Sequence, residues 1–252
     1  MTEKTISLIL LCYNDGVSLK HLIPDCIQIL SSEFSDFEII VVDDGSEKET
    51  LDILQSFHSF HPKLKIVRHE LNQGVGATFQ TGVLHSCLEL IAYMDGDSQY
   101  SPSDLPLLVE KMAENSVASG LRVKRADSFK RKLISKIFNQ TIQNIYHLKL
   151  KDINSGIKIY PAKELKQILP LISSGPFFDS EVLIRLKQIG INAIEIPVKH
   201  YCRKYGQAGG ISKKSIKTAT SEIVDVHFIN FRSKNLKAKL SVAFVKFLVN
   251  LS

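Results

Sequence analysis

The segment LIAYMDGDSQYSP (residues 90–102) decides how the fold is read, because an apolar run leads directly into two carboxylates. The run at residues 90–94 predicts a buried strand, and similar runs lie at residues 6–11, 38–42 and 64–67. Between them, residues 18–30, 48–57 and 76–87 carry apolar side chains at helix spacing. This alternation predicts an α/β fold, a Rossmann-like, nucleotide-binding and mostly parallel sheet with flanking helices.

Polar residues follow three of these predicted strands. The strand ends read CYND (residues 12–15), DDGS (residues 43–46) and DGD (residues 95–97). Ligands of open parallel sheets bind beyond the carboxyl ends of the strands, so we expect one shared site. Ser46 would also suit the N-cap of a helix that starts near Glu47, with Asp44 facing the ligand.

The pair Asp95 and Asp97 has the chemistry of a cation site. Two close carboxylates raise one another's pKa unless a cation or hydrogen-bond donors neutralise them, and all-oxygen ligation suits Mg²⁺ or Mn²⁺. Such an ion would bridge a diphosphate and stabilise a departing nucleoside diphosphate. The alternative is an ordinary turn, because Asp-Gly is a common turn pair.

A glycine-rich segment, NQGVGATFQTG (residues 72–82), lies between a predicted strand and a predicted helix. Its glycines, Gly74 and Gly76, would let backbone N–H groups approach a phosphate or ribose at the helix N-terminus.

The second half continues the same domain, since no linker rich in Gly, Ser or Pro interrupts it. We expect helices at residues 103–114, 129–147 and 179–189, a strand at 193–198 and, at 157–160, a short apolar run. The predicted catalytic domain is therefore residues 1–210. Residues 211–252 are expected to form a basic, apolar tail with amphipathic helices, which would dock on their own domain, on a membrane interface or on a second copy in a homodimer.

Charge and cysteine content narrow the setting. From Lys199 onward there are eleven Lys and Arg against two acids, which suggests an anionic partner for this end. The four cysteines include no C-x-x-C pair, so neither a disulfide framework nor a zinc site is expected. No apolar stretch reaches the roughly 20 residues of a spanning helix, and no leader is predicted. These features favour a cytoplasmic protein, peripheral on the inner face of the membrane if the tail docks there.

The ordered segments ISLILLCYND (residues 6–15), EIIVVDDGS (38–46), NQGVGATFQTG (72–82) and YMDGDSQYSP (93–102) resemble the inverting glycosyltransferases of family two. That family has a GT-A type fold with a D-x-D motif. The resemblance implies a hexosyltransferase that uses a UDP- or GDP-linked sugar with Mg²⁺ or Mn²⁺. It assigns the metal or diphosphate to Asp95 and Asp97. Nucleoside and other donor contacts would come from the other strand ends and the glycine-rich segment, namely Tyr13, Asn14, Asp15, Asp43, Asp44, Gly74 and Gly76.

Later segments are similar to the branch that includes dolichol-phosphate mannose synthase and bacterial polyprenyl-phosphate glycosyltransferases of cell-envelope glycan synthesis. These are SGLRVKRADS (residues 119–128), KDINSGIKIYP (151–161), FFDSEVLIRLKQIG (177–190) and IEIPVKHYCRKYGQAGG (194–210). The likeness implies that Gln99 joins the metal site, Asp152 lies near the transfer centre and Arg203 contacts phosphate.

Acceptor chemistry agrees with this branch. A hydroxyl acceptor needs a general base, whereas a phosphate monoester, with a second pKa of about 6, is already anionic at neutral pH and needs cations instead. We expect these cations from Arg122, Arg125, Arg131 and Lys204, although a solvated basic face explains individual basic residues equally well.

Two positions depart from the family pattern. Asp15 stands where Glu is usual, and Ala208 stands where a Ser is common, which weakens the lipid-acceptor assignment. The main alternative is a soluble family-two enzyme that glycosylates a saccharide or protein hydroxyl, with Asp152, Asp179 or Glu181 as the base.

Other classes fit less well. A dinucleotide-dependent oxidoreductase would carry G-x-G-x-x-G after the first strand, where this chain has CYNDG (residues 12–16). An inactive binding module would not need both Asp95 and Asp97, and nucleic acid is not an expected partner.

Overall fold

The computed structural model describes residues 2–57, 60–123, 129–205 and 213–231. Its strands are β1 (Thr2–Cys12), β2 (Phe34–Asp43), β3 (Leu64–Arg68), β4 (Leu90–Asp95), β5 (Ser116–Arg122), β6 (Ile157–Pro161) and β7 (Asn192–Val198). Its helices are α1 (Gly16–Glu33), α2 (Lys48–Ser56), α3 (Val75–His85), α4 (Asp104–Lys111), α5 (Phe129–Tyr146), α6 (Ala162–Gln167), α7 (Phe178–Gln188) and α8 (Lys213–Phe231).

The strands form one sheet in the order β3-β2-β1-β4-β6-β5-β7. β6 runs antiparallel to both of its neighbours, and the other pairings are parallel. The chain crosses from β3 at one edge back to β4 on the far side of β1. The carboxyl ends of β1 and β4 therefore flank a topological switch point, where open α/β sheets bind ligands.

Helices cover both faces of the sheet. In β1, Leu8 and Leu10 belong to the apolar core under α1 and α4, whereas Ile9 and Leu11 belong to the core under α3 and α7. A strand buried on both faces needs a continuous apolar run, which is why the first strand can be recognised in the sequence.

The predicted strands and helices of the first hundred residues are confirmed, with end points shifted by up to four residues. Two elements were missed. β5 is rich in Ser, Ala and Gly, and a Cβ on Gly120 would lie 2.6 Å from a methyl carbon of Ile157, so small side chains are what let β5 pack there. α6 has six residues, too few to show helical periodicity.

The helix α8 packs on the domain. Glu222 accepts N–H groups from Gly175 at 2.6 Å and Phe177 at 3.1 Å, and Ile223 and Val226 are buried in the core. The second helix predicted for the tail lies outside the described residues. Among the helices that are described, none combines the length and apolarity needed to cross a bilayer.

Candidate active site

A cleft of about 260 Å³ lies at the switch point between β1 and β4. Its lining comes from the ends of β1 and β4, from Asp44 after β2, and from the start of α3. The residues are Leu11, Cys12, Tyr13, Asp15, Asp44, Asn72, Gly74, Val75, Thr78, Asp95, Gly96 and Asp97. The polar strand ends therefore meet, as the parallel pattern predicts.

Backbone contacts hold Asp95 and Gly96 tightly. The Asp95 N–H donates to the Gly156 carbonyl at 3.0 Å, and the Gly96 N–H donates to the Leu11 carbonyl at 3.0 Å. A Cβ on Gly156 would lie 1.9 Å from the Asp95 carboxylate, and a Cβ on Gly96 would lie 2.6 Å from the Leu11 carbonyl. Glycine at position 96 thus allows close packing on β1 in the lining of the cleft.

The carboxylates in the cleft are crowded. Burial, followed by the charge of Asp97, raises the pKa of Asp95 to about 8. Burial also raises the pKa of Asp15, where the charge of Asp97 adds to the rise and Arg203 opposes it. Burial is the main cause of both rises, so the ionised carboxylates would be stabilised by the positive charge of a bound cation.

Arg203 lies between two of these acids. Its guanidinium donates a hydrogen bond to Asp15 and has a second nitrogen 3.6 Å from the Asp97 carboxylate. The segment that carries Arg203 is attached to Gln99, whose backbone and side-chain amide make hydrogen bonds of 2.9 and 3.0 Å with Tyr201. The chain thus brings positive charge of its own to the cleft.

Gln99, predicted as a metal ligand, contributes to this attachment and is absent from the cleft lining. In the part of the chain that is described, no three His, Cys, Asp or Glu side chains are grouped to hold a metal ion. A cation at Asp95 and Asp97 would therefore take its remaining ligands from a bound substrate and water.

Asp44 organises the glycine-rich loop. Its carboxylate accepts the N–H groups of Gln73 and Gly74, both at 2.9 Å, and contacts His69 Nδ1 at 2.7 Å. His69 in turn contacts the Thr81 hydroxyl at 2.9 Å. Asp44 lines the cleft, but both of its oxygens already have partners within the protein.

The two glycines have a packing role that the sequence did not reveal. Gly74 has φ of +101°, and a Cβ there would lie 2.5 Å from the Ser174 carbonyl. The N–H of Gly76 donates to that same carbonyl at 2.7 Å. The protein therefore occupies the N–H of Gly76 that was expected to meet a phosphate, and Gly74 reaches the cleft as part of its wall.

Asn14 and Asp43 support the cleft from outside its lining. The Asn14 side chain accepts the Glu47 N–H at 2.8 Å at the start of α2, while the Ser46 hydroxyl accepts the Asn14 N–H at 2.8 Å. The N-cap expected of Ser46 is wrong, because α2 begins at Lys48 and Glu47 occupies the N-cap position. Asp43 is fully buried, accepts the Ser46 N–H at 3.2 Å and lies 3.4 Å from Arg68.

A second, larger cavity of about 720 Å³, named here the α5 groove, lies between the end of β5 and α5. Its lining is mainly basic and amide-bearing: Leu121, Arg122, Val123, Lys132, Lys136, Asn139, Gln140, Gln143, Lys151 and Asp152. Arg122 binds Asp152 through two hydrogen bonds of 2.6 and 2.7 Å, with both side chains over nine-tenths buried. The predicted transfer-centre acid and a predicted phosphate ligand therefore neutralise each other.

The other predicted phosphate ligands are less informative. Lys204 is exposed, close in sequence to Arg203. Arg125 and the side chain of Arg131 lie outside the described residues, as does Ala208.

Sequence reasoning missed a buried charge beneath the cleft. Lys158, fully buried on β6, donates to Asp179 at 2.9 Å, to the Ser155 carbonyl at 2.5 Å and to the Tyr93 hydroxyl at 3.2 Å. This network holds the turn whose Gly156 contacts the Asp95 carboxylate. The available signal was a lysine within the apolar run IKIY (residues 157–160).

Comparison with known proteins adds family information to this geometry. A family model described as glycosyl transferase family 2 matches residues 7–169. The chain is 28% identical over 210 residues to undecaprenyl-phosphate 4-deoxy-4-formamido-L-arabinose transferase of Edwardsiella ictaluri (strain 93-146), covering 82% of this chain and 63% of the relative. It is 31% identical over 232 residues to dodecaprenyl-phosphate galacturonate synthase of Rhizobium johnstonii (strain DSM 114642 / LMG 32736 / 3841). This match covers 90% of this chain and 66% of the relative. The chain thus spans just under two thirds of the length of these relatives.

Solved structures share the fold. A mannosyltransferase from Pyrobaculum calidifontis, in complex with GDP-Man and Mn²⁺, superposes with a TM-score of 0.62 at 15% identity, covering 100% of this chain and 70% of that one. Glucosyl-3-phosphoglycerate synthase from Mycobacterium tuberculosis, in complex with Mg²⁺ and UDP, superposes with a TM-score of 0.67 at 14% identity. This match covers 88% of this chain and 79% of that one. At this level of identity the likeness establishes the architecture alone.

Proposed function

The chain belongs to glycosyl transferase family 2, and from this premise we propose that it transfers a sugar from a nucleotide-sugar donor to a polyprenyl phosphate. The observation that carries the proposal is the convergence of Asp15, Asp95 and Asp97 in one cleft at the switch point of a GT-A sheet. Both curated relatives are named for a polyprenyl phosphate.

Asp95 and Asp97 would hold Mg²⁺ or Mn²⁺. The raised pKa of Asp95 supports this role, because burial and the neighbouring charge of Asp97 disfavour its ionised form, which a bound cation would stabilise. When bound, the ion supplies positive charge to the diphosphate of the donor. Asp15, at the N-cap of α1, would accept hydrogen bonds from the nucleoside.

In this proposal Arg203 can bind either the carboxylates of the cleft or the phosphates of the donor. Within the chain, its guanidinium forms ion pairs with Asp15 and Asp97. If Asp95 and Asp97 held a divalent cation, the Arg203 guanidinium would be available to bind phosphate oxygens. Arg203 would thereby couple donor binding to the neutralisation of the leaving diphosphate.

The reaction is a single displacement. A phosphate oxygen of the acceptor forms a bond to the anomeric carbon, and the bond from that carbon to the diphosphate breaks, with the bonding pair leaving on the nucleoside diphosphate. The configuration at the carbon inverts. The chain contributes alignment of the two substrates and charge compensation, and no proton needs to be removed from an anionic phosphate acceptor.

The state of the candidate bases supports a phosphate acceptor over a hydroxyl acceptor. Asp152 is paired with Arg122, and Asp179 is buried against Lys158. Glu181 is fully buried and bound to Arg185 at 2.6 Å. Each carboxylate named for the alternative enzyme therefore has a structural partner and is absent from the lining of the donor cleft.

A lipid acceptor requires access to a bilayer. We therefore place the protein, as part of this proposal, at the cytoplasmic surface of a membrane in a peripheral arrangement. Homodimerisation through the tail stays a prediction from the sequence.

The test is transfer from a panel of UDP- and GDP-linked sugars in the presence of Mn²⁺ or Mg²⁺, with and without a short-chain polyprenyl phosphate. We expect a glycolipid product that depends on both the metal and the lipid, identified by mass spectrometry. Parallel reactions offer saccharide and peptide hydroxyl acceptors. A product on a hydroxyl acceptor alone would replace the proposed acceptor, and no product with any donor would refute the activity.

A further inference from the structure

The α5 groove, defined above by its lining residues, is larger than the donor cleft and shares no lining residue with it. One face of α5 forms its wall, with Lys132, Lys136 and Gln143 spaced at helical intervals. β5 supplies the opposite side. Because β5 runs in the same direction as β4, the groove and the donor cleft open at the same edge of the sheet.

The groove carries net positive charge. Lys132, Lys136 and Lys151 line it and are exposed, and no carboxylate of the described residues forms an ion pair with them. Asp152 is neutralised by Arg122. The nearby Glu195 uses its carboxylate to accept backbone N–H groups of residues 151 and 152 at 2.7 and 2.6 Å.

Apolar side chains lie beside these lysines. Val123, in the wall of the groove, is 63% exposed, and Leu133, next to Lys132 on α5, is 42% exposed. A site for a soluble anion has no need of exposed aliphatic groups, and neither does a nucleic-acid backbone. A bilayer interface presents both a charged and an apolar layer.

Hydrogen bonds and core packing hold the walls of the groove in place. The Asn139 side chain donates to the carbonyl of Lys151 at 2.9 Å, and that of Gln143 donates to the carbonyl of Leu150 at 2.5 Å. On the opposite face of α5, Ile142 is fully buried in the core. The positions of the lysines are therefore set by the fold.

We propose that the α5 groove docks the protein on an anionic membrane surface, with a lipid phosphate among Lys132, Lys136 and Lys151 and with Val123 and Leu133 at the acyl boundary. The proposal rests on the proposed function, because a lipid acceptor must meet the donor cleft at the membrane. Docking through this groove would turn the shared edge of the sheet toward the bilayer, so that a lipid-borne phosphate approaches the cleft without leaving the membrane.

The test measures co-sedimentation of the full chain with vesicles of phosphatidylcholine, alone or mixed with phosphatidylglycerol, in the absence of donor. The double variant K132Q/K136Q should partition about 30-fold more weakly onto the anionic vesicles, since each lysine near an anionic leaflet contributes about 1 kcal/mol. The variant V123S/L133S should bind more weakly at both low and high salt, since its lost contribution is apolar.

The matched control is K111Q/K163Q, which removes the same charge from exposed lysines at the opposite edge of the sheet. It should bind vesicles like the wild type, and circular dichroism should show that all variants are folded. Equal binding by K132Q/K136Q and the wild type would overturn the proposal. So would binding of inorganic phosphate or RNA that depends on Lys132 and Lys136, without binding of anionic vesicles.

Two further measurements on the same variants, nucleotide binding by calorimetry and transfer to a short-chain acceptor, separate this proposal from the proposed function. Docking without any transfer activity would count against the proposed function alone. Transfer to a short-chain acceptor without dependence of vesicle binding on the groove would count against docking alone.

Discussion

The donor cleft and the α5 groove open at one edge of the sheet but have opposite charge. In the cleft, Asp15 and Asp97 share the guanidinium of Arg203, and Asp95 lies beside them. In the groove, the charges of Arg122 and Asp152 compensate each other, and the lysines give the groove its net positive charge. The contrast indicates what each region lacks: the cleft needs a cation that arrives with the donor, and the groove needs an anion.

The two regions differ in how much their charged groups destabilise the folded state. Asp95 has a pKa of about 8, so its ionised form is destabilised in the fold. The exposed lysines of the groove remain hydrated, and their separation from acids costs little. Concentrating like charge in a cleft lowers stability, which favours a functional explanation for the cleft.

The strongest test of the contrast is D97N. We expect turnover to fall by about 10²–10³-fold, because the substitution removes one of two carboxylates that would bind the metal beside the developing charge. Mn²⁺ binding, followed by electron paramagnetic resonance, should weaken in parallel while circular dichroism stays unchanged. A folded D97N enzyme with wild-type turnover would end the cation assignment for the cleft.

The paired character of the groove is tested by D152N. Removing the carboxylate leaves Arg122 buried without its partner, so we expect the free energy of unfolding to fall by about 3 kcal/mol. The double variant R122M/D152N should recover much of that loss in urea denaturation. If the double variant is stable but has lost kcat, the catalytic role predicted for Asp152 is restored and the contrast between the two regions weakens.

Substituting Arg203 should change metal affinity and transfer rate in opposite directions. In R203Q, Mn²⁺ should bind about tenfold more tightly without donor, a change equivalent to about 1.4 kcal/mol, because a competing cation has gone. Transfer should nevertheless slow, since the guanidinium no longer reaches phosphate. Calorimetric titration with Mn²⁺ and steady-state kinetics measure the two effects. Metal affinity that falls together with turnover would show that Arg203 supports the acids rather than competing for them.

The smallest expected effect is on stability as a function of pH. The pKa of Asp95 rises from 3.8 to about 8 on folding, so the acid favours folding at low pH relative to high pH, and its cost develops as pH rises through this window. D95N should therefore raise Tm in chelator-treated protein at pH 8.5, by about 2–4 °C for each kcal/mol gained, and change it little at pH 4.

The control for D95N is Mn²⁺ itself. The ion should raise the Tm of the wild type at pH 8.5 and leave D95N nearly unchanged. A D95N protein that is less stable than the wild type at high pH would mean that the ionised carboxylate is already compensated within the fold.

Much of the donor side can be predicted from the amino-acid sequence. The acids at residues 15, 44, 95 and 97 follow strands of one parallel sheet, and parallel strands bring their carboxyl ends to one edge. Local pattern is sufficient there because the strands are continuous apolar runs. The acceptor side is harder to predict, since β5 is made of small residues and β6 inserts antiparallel between β4 and β5.

The sequence by itself determined the family, the order of the first strands and helices, and the place of the acids at the strand ends, because these depend on periodicity and short-range spacing. Only the tertiary structure decided which polar groups are already satisfied. It paired Asp152 with Arg122, brought Arg203 to Asp15 across 188 positions of the chain and closed Gly76 against Ser174. Such partners come from distant segments, and the free energy of burying a charge depends on what surrounds it in space, which the order of residues does not record.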